Sequence, residues 1–180
     1  MTLAAADQPN GKRGPTVVVV LGVAGSGKTE VGSLLACALH WQFEDADTYH
    51  SRANVAKMSR GRSLTDQDRL PWLELLSKEI DHWVKTGTKT VLACSALKNS
   101  YRGVLKHGLS EVVFVYLKGS YETIYARLCG RPGHFMKAEM LAGQFQALEE
   151  PEDAIVVDID WPPPQIVAFI EKELGLAKDS

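Results

Sequence analysis

The sequence predicts an α/β domain: a parallel sheet with helices on both faces. Three observations carry this. Short β-branched runs alternate with longer amphipathic runs along the 180-residue chain, the pattern of repeated strand–helix–strand units. The first run, Thr16-Val17-Val18-Val19-Val20-Leu21, is apolar without alternation, as expected of a central strand covered on both sides. It passes directly into a glycine-rich turn that opens a further apolar helical pattern. In such sheets ligands bind beyond the carboxyl ends of the strands, so chemistry is expected there.

Taken in order, strands are expected over 16–21, 42–46, 90–94, 112–117 and 154–159. The clearest helix covers 66–85. Thr65 followed by Asp68 makes a capping-box start, and Leu73, Leu76, Ile80 and Trp83 fall on one face at steps of three and four. Ser120 is the N-cap of another helix. A last helix over 165–174 follows Pro162-Pro163-Pro164 and stops at Gly175. No repeat or low-complexity linker divides the chain, so 16–180 is expected to be one domain. Residues 1–15, rich in Gly, Pro, Asn and Lys, read as a disordered tail.

Composition narrows the class. Lys+Arg 20 against Asp+Glu 22 gives a net charge of −2, so the whole chain does not attract nucleic acid or anionic lipid. No apolar run approaches the roughly 20 residues needed to span a bilayer, and the first residues lack the apolar stretch of a secretory signal. Cys37, Cys94 and Cys129 are odd in number and show no C-x-x-C spacing. They point to a reducing, cytoplasmic setting and away from disulfides or a zinc knuckle. Cys37 and Cys94 are expected to be small core residues.

The strongest signal is Gly22-Val23-Ala24-Gly25-Ser26-Gly27-Lys28-Thr29, which fits G-x-x-x-x-G-K-[ST] between a strand and a helix. Glycines let successive N–H groups turn inward on phosphate oxygens, and the helix N-terminus adds its partial positive charge. Lys28 would reach the β- and γ-phosphates of ATP, and the Thr29 hydroxyl would ligate Mg²⁺. A GTPase would add N-K-x-D and D-x-x-G, and neither occurs. A motor ATPase would carry an acidic end on a hydrophobic strand, whereas the third strand runs into Cys94-Ser95-Ala96-Leu97. Small-molecule and nucleotide kinases fit the size and the missing elements.

Four weaker clusters lie at other strand ends. Asp45 and Asp47, two apart, would share one face of a continuing strand. Two carboxylates beside a triphosphate can support the metal's water shell and accept the proton of an attacking hydroxyl; a solvated acidic turn is the bland alternative. His50 on its own is an ordinary structural histidine. Asp66 and Asp68 are explained by helix capping, but Arg69 in the same first turn is disfavoured unless an anion is near. Lys98 and Arg102, four apart, would project from one helix face towards a carboxylate or phosphate, or simply into solvent. Arg127 and Arg131 border a Gly- and Pro-interrupted stretch ending in His134-Phe135. Such a stretch is either an ordinary basic loop or a lid that closes over ATP.

The ordered set of motifs resembles the P-loop gluconokinases. It comprises the phosphate loop, Asp45-x-Asp47-x-x-His50-x-x-x-Asn54-x-x-Lys57-Met58, Leu64-x-Asp66-x-Asp68-Arg69-x-Pro71-Trp72-Leu73, Cys94 to Lys98 with Tyr101-Arg102, Gly133-His134-Phe135, and Gln144-Phe145-x-x-Leu148-Glu149. Shikimate and adenylate kinases share the phosphate loop but differ from Cys94 to Arg102 and around His134. The resemblance implies a three-layer P-loop NTPase fold of the adenylate/shikimate-kinase kind, with a five-stranded parallel sheet in the order 2-3-1-4-5 and a lid over about 127–138. It implies acceptor-binding helices over about 48–86, frequent homodimers, and transfer of phosphate from ATP with Mg²⁺ to the 6-hydroxyl of D-gluconate, feeding the pentose phosphate pathway.

Carried over by position, Lys28 and Thr29 match the phosphate and metal residues. Asp47 matches the acceptor-site base or hydroxyl orienter, and Asp45 would hold the metal through water. His50, Arg69, Lys98 and Arg102 match the grip on the sugar acid. Arg127, Arg131 and His134 match the lid: Arg127 on ATP, Arg131 on the transferring charge, His134 on substrate. Ser51 stands where relatives often carry Pro, and Ala53 where they carry a polar residue.

Two rival readings use the same residues. A kinase for another small acid or polyol would share the phosphate machinery and differ only in its pocket. A catalytically idle nucleotide-binding protein would bind ATP and turn over no acceptor.

Overall fold

The computed structural model describes residues 14–130 and 135–177. Within them, β1 (Val17–Leu21), β2 (Gln42–Asp45), β3 (Thr90–Ala93), β4 (Val112–Lys118) and β5 (Ala154–Asp158) form one all-parallel sheet in the order β2-β3-β1-β4-β5. Each lies within about one residue of its sequence-based expectation, and the order is the one the resemblance implied. The valine run is central for a physical reason. Every residue of β1 is fully buried, with Val18 and Val20 facing one core and Val17, Val19 and Leu21 facing the other.

Helices cover both sides. On one face lie α1 (Lys28–Leu39) and α7 (Pro163–Glu173), with α5 (Tyr121–Cys129) and α6 (Phe135–Ala147) packed on each other beside them. On the other face lie α3 (Asp66–Thr86) and α4 (Asn99–Lys106). The short α2 (Arg52–Ser59) precedes α3. The capping box at Thr65 and Asp68 is present, the Ser120 hydroxyl caps α5, and Leu73, Leu76, Ile80 and Trp83 form the buried face of α3. Helix α7 starts two residues before its expected start because proline is tolerated in the first turn, where its missing N–H has no intrahelical acceptor. Cys94 is buried, but Cys37 is exposed on α1, contrary to expectation.

Strand β1 has neighbours on both sides, and the chain leaves it through α1 towards β2, while β4 and β5 lie on the other side. The turn after β1 therefore stands at the point where the connections diverge, with open space above it. No helix among the described residues is long and apolar enough to cross a membrane.

Candidate active site

The glycine-rich turn is held by its own backbone and by its neighbours. Gly22 N–H reaches the Ser95 carbonyl and Ser26 N–H reaches the Val23 carbonyl. Gly25 adopts φ +83°, and a Cβ there would lie 2.7 Å from Leu128 Cγ, so only glycine lets α5 approach this closely. Helix α1 starts without a side-chain cap at Gly27, leaving its first N–H groups to an incoming anion. Lys28 Nζ folds back to donate to the Val23 carbonyl at 3.0 Å. The buried Ser26 hydroxyl has no hydrogen-bond partner among the described residues.

Strand β2 delivers the acids, but not on one strand face as expected. It ends at Asp45, and a 3-10 turn, Ala46–Tyr49, follows. Asp45 itself causes the turn, since its Oδ1 accepts the Asp47 N–H at 3.0 Å while its Oδ2 accepts the Thr29 hydroxyl at 3.2 Å. Asp45 is thereby tied to the phosphate loop, and the Asp47 side chain is 80% exposed, with its Oδ1 4.0 Å from His50 Nε2. The hydroxyl-plus-carboxylate pair of Thr29 and Asp45 is an all-oxygen donor set, which suits Mg²⁺. No cluster of three or more His, Cys, Asp or Glu suited to a metal occurs among the described residues. A metal here would therefore share its coordination with substrate phosphates.

His50 follows the turn. Its ring is stacked on Trp72 of α3, whose indole N–H donates to the Ala46 carbonyl at 2.7 Å. Burial lowers the His50 pKa; Asp47 opposes the shift and Arg69 adds to it. Nδ1 of this ring has no hydrogen-bond partner among the described residues.

The cations are sorted differently from the sequence-based expectation. Lys98 Nζ donates to both oxygens of Asp66, at 2.9 and 2.8 Å, and the Tyr101 hydroxyl donates to the same carboxylate. These hydrogen bonds, from Lys98 first and then Tyr101, hold the Asp66 pKa below the usual carboxylate range. Arg69 donates to the Leu64 carbonyl and lies 5.9 Å from the Tyr101 ring centroid, with Lys98 Nζ at 5.5 Å. Arg102 does not join them. It is 4% exposed, and its guanidinium donates to the carbonyls of Ala96, Leu97 and Glu149 and to the Asn99 side chain. The four-residue spacing misleads because Lys98 is the extended N-cap of α4, with φ −96° and ψ 147°; the face-sharing rule applies only inside a helix.

Two cavities meet at the phosphate loop. One, of about 360 Å³, is lined by Ala24, Lys28, Thr29, Asp45 and Asp47 together with His50, Arg69, Lys98, Tyr101 and Gln144. The other, of about 350 Å³, lies past Ser26 and Gly27 and is lined by Glu30, Arg127, Trp161 and Ile166. Both fall within the size range of small-ligand sites. Arg127 there donates to the Ile159 carbonyl at 2.8 Å. Arg131 and His134 lie outside the described residues.

The sequence marks no substrate or nucleotide role for Trp161, Asp66, Tyr101 or Gln144. Trp161 stands just past β5 and before the prolines, a strand-end position that could have marked it. Sequence position makes Asp66 a helix-capping acid, and the Lys98 contact that gives it another role comes from 32 residues away.

Comparison with known proteins is consistent with these features. The Shikimate kinase family model matches residues 24–170. The chain is 44% identical to a probable gluconokinase of Mus musculus, over 89% of this chain and 98% of that protein. It is also 44% identical to the thermoresistant gluconokinase of Escherichia coli, over 84% and 89%. The solved structure of a gluconokinase from Sinorhizobium meliloti superposes with a TM-score of 0.81 at 37% identity, covering 91% of this chain and 94% of that one.

Proposed function

The chain belongs to the gluconokinase family, and from that premise we propose that it transfers the γ-phosphoryl group of ATP to the 6-hydroxyl of D-gluconate, giving 6-phospho-D-gluconate and ADP. One observation carries the proposal: a single cavity joins Lys28 and Thr29 of the phosphate loop to Asp47, His50, Arg69 and Lys98. Gluconate is an extended polyol ending in a carboxylate. Its site needs a cation for the carboxylate, polar partners for the hydroxyls, and an acid beside the reacting hydroxyl.

The two carboxylates stand on the loop side, through the bond from Thr29 to Asp45. The two cations gather around Tyr101 on α3 and α4. A ligand with an anionic head and a hydroxyl tail is oriented by that arrangement, and a neutral sugar is not.

In this reading Asp47 accepts the proton of the 6-hydroxyl as its oxygen attacks the γ-phosphorus in line, and the bond to the β,γ-bridging oxygen of ATP breaks. Lys28 leaves the Val23 carbonyl for the β- and γ-phosphates. Thr29, with Asp45 through water, would hold Mg²⁺, which when bound would neutralise phosphate charge. Lys98 and Arg69 hold the carboxylate, and His50 supplies a neutral ring nitrogen for a hydroxyl. Arg102 acts behind them by fixing the 96–99 turn. Arg127 with Trp161 borders the nucleoside end, and Arg131 and His134 keep the roles on transferring charge and substrate that the resemblance implies. Action in the cytoplasm as a homodimer, feeding the pentose phosphate pathway, completes the proposal.

The test is ADP release with Mg-ATP against D-gluconate, shikimate, ketogluconates, free sugars and nucleoside monophosphates. Turnover with gluconate alone, lost in Lys28→Ala and on chelation of the metal, is the expected result. Turnover with another acid instead would overturn the acceptor assignment. ATP binding without turnover of any acceptor would make this an idle member of the fold.

A further inference from the structure

Gln144 lies on α6, 120 positions from the phosphate loop, yet its Oε1 accepts the Ala24 N–H at 2.6 Å. Ala24 is the third residue of the loop, and its amide is one of the inward-turning donors that make such a loop anion-binding. The orientation of the carboxamide follows from chemistry, since an N–H donor requires the oxygen and not the nitrogen as its partner. Nε2 therefore points elsewhere, and among the described residues it makes no hydrogen bond.

The two cavities assign a side to this contact. Ser26 borders the cavity shared with Arg127 and Trp161, Gly27 borders both, and Ala24, Lys28 and Gln144 border the one shared with Asp47. Transfer requires the terminal phosphate to face Asp47, so Gln144 stands at the terminal-phosphate end of the loop. It is also held in place. Leu141, one turn earlier, is fully buried, and Phe145 packs edge-on against Tyr121 with centroids 5.4 Å apart. Just beyond α6, Glu149 accepts the Asn99 N–H and donates its own N–H to the Leu97 carbonyl. A side chain on so fixed an element reaches its target without a large ordering cost.

We propose that Gln144 is a further residue of the transfer site: its carboxamide holds the Ala24 amide before nucleotide binds and then donates through Nε2 to the terminal phosphoryl group. The proposal rests on the kinase reading above. It makes Gln144 a reader of the third phosphate, distinguishing ATP from ADP.

The experiment is calorimetric binding of ADP and of the β,γ-imido analogue of ATP, with Mg²⁺ and without acceptor, to wild type, Gln144→Ala and Gln144→Glu, alongside thermal melting of each without nucleotide. In Gln144→Ala the imido analogue should bind about tenfold more weakly, the worth of one hydrogen bond to a charged group, while ADP binding changes little. Gln144→Glu still accepts the Ala24 N–H, so it should melt like wild type, yet it should lose more analogue affinity than Gln144→Ala through like-charge repulsion. Equal losses for ADP and the analogue would reduce Gln144 to a prop for the loop and overturn the proposal, as would no loss for either. If Gln144→Ala does not melt cooperatively, the same two outcomes in Gln144→Glu decide. A wild type that binds neither nucleotide would overturn the kinase reading itself.

Discussion

The imidazole of His50 lies flat on the indole of Trp72, with ring centroids 4.4 Å apart and 17° between the planes. The indole is pinned in turn to the Ala46 carbonyl, so this stack fixes the end of the 3-10 turn on which Asp47 stands. One face of the histidine is covered by the indole, and its Nε2 is 4.0 Å from an Asp47 oxygen. It is built to stay neutral beside an acid.

That neutrality predicts a pH dependence of stability. Burial lowers the His50 pKa in the folded chain, so the unfolded chain takes up the proton first as pH falls. The contribution is fully present above the unfolded value of about 6.5 and is lost as pH drops through the window between it and the depressed folded value. Urea unfolding of wild type and His50→Gln between about pH 7.5 and about pH 5.5 checks this. Wild type should lose more stability across the interval; parallel losses would refute the assignment.

Arg102→Met should destabilise the fold by about 2–4 kcal/mol, because three carbonyls lose the same buried donor. The KM for gluconate should change little in the molecules that remain folded. Denaturant melts with steady-state kinetics separate the two effects. A large rise in KM at unchanged stability would return Arg102 to the substrate-binding role its sequence position suggested.

Lys98→Ala should raise the KM for gluconate by about tenfold to a hundredfold, the range for losing a charge-assisted hydrogen bond, with ATP affinity unchanged. Titrating each substrate at saturating levels of the other measures both terms.

Asp47→Asn should lower kcat by about a hundredfold to ten-thousandfold, the span of general-base contributions. Its side chain is mostly in solvent, so the melting temperature should hold. Retention of most of kcat would remove Asp47 from the base role.

Gly25→Ala should destabilise the protein by about 1–3 kcal/mol through a left-handed backbone and a collision with Leu128, and weaken nucleotide binding as well. Melting and ADP titration of the variant check both.

The strands, the order of elements and the phosphate loop were legible in the sequence because each rests on local pattern: an unalternated valine run, a glycine spacing, a capping box. The acceptor residues were legible only as types. Asp45 and Asp47 were expected on one strand face, but the Asp45 side chain ends the strand by taking the Asp47 N–H. Lys98 and Arg102 were expected to act together, but the helix starts after Lys98 and turns Arg102 inward. Asp66 and Gln144 find their partners 32 and 120 positions away, and no local spacing encodes such contacts.

The two cavities on either side of the phosphate loop also bear on how such a protein changes over generations. The wall proposed to meet the acceptor comes mainly from segments on the β2–β3 flank, and the wall past Ser26 comes from the β4–β5 flank and α7. Replacing the stretch between β2 and β3 together with the turn after β3 that carries Lys98 and Tyr101 would therefore exchange the acceptor and leave the nucleotide in place. The same seam is where a designer would cut to give this scaffold a new alcohol to phosphorylate.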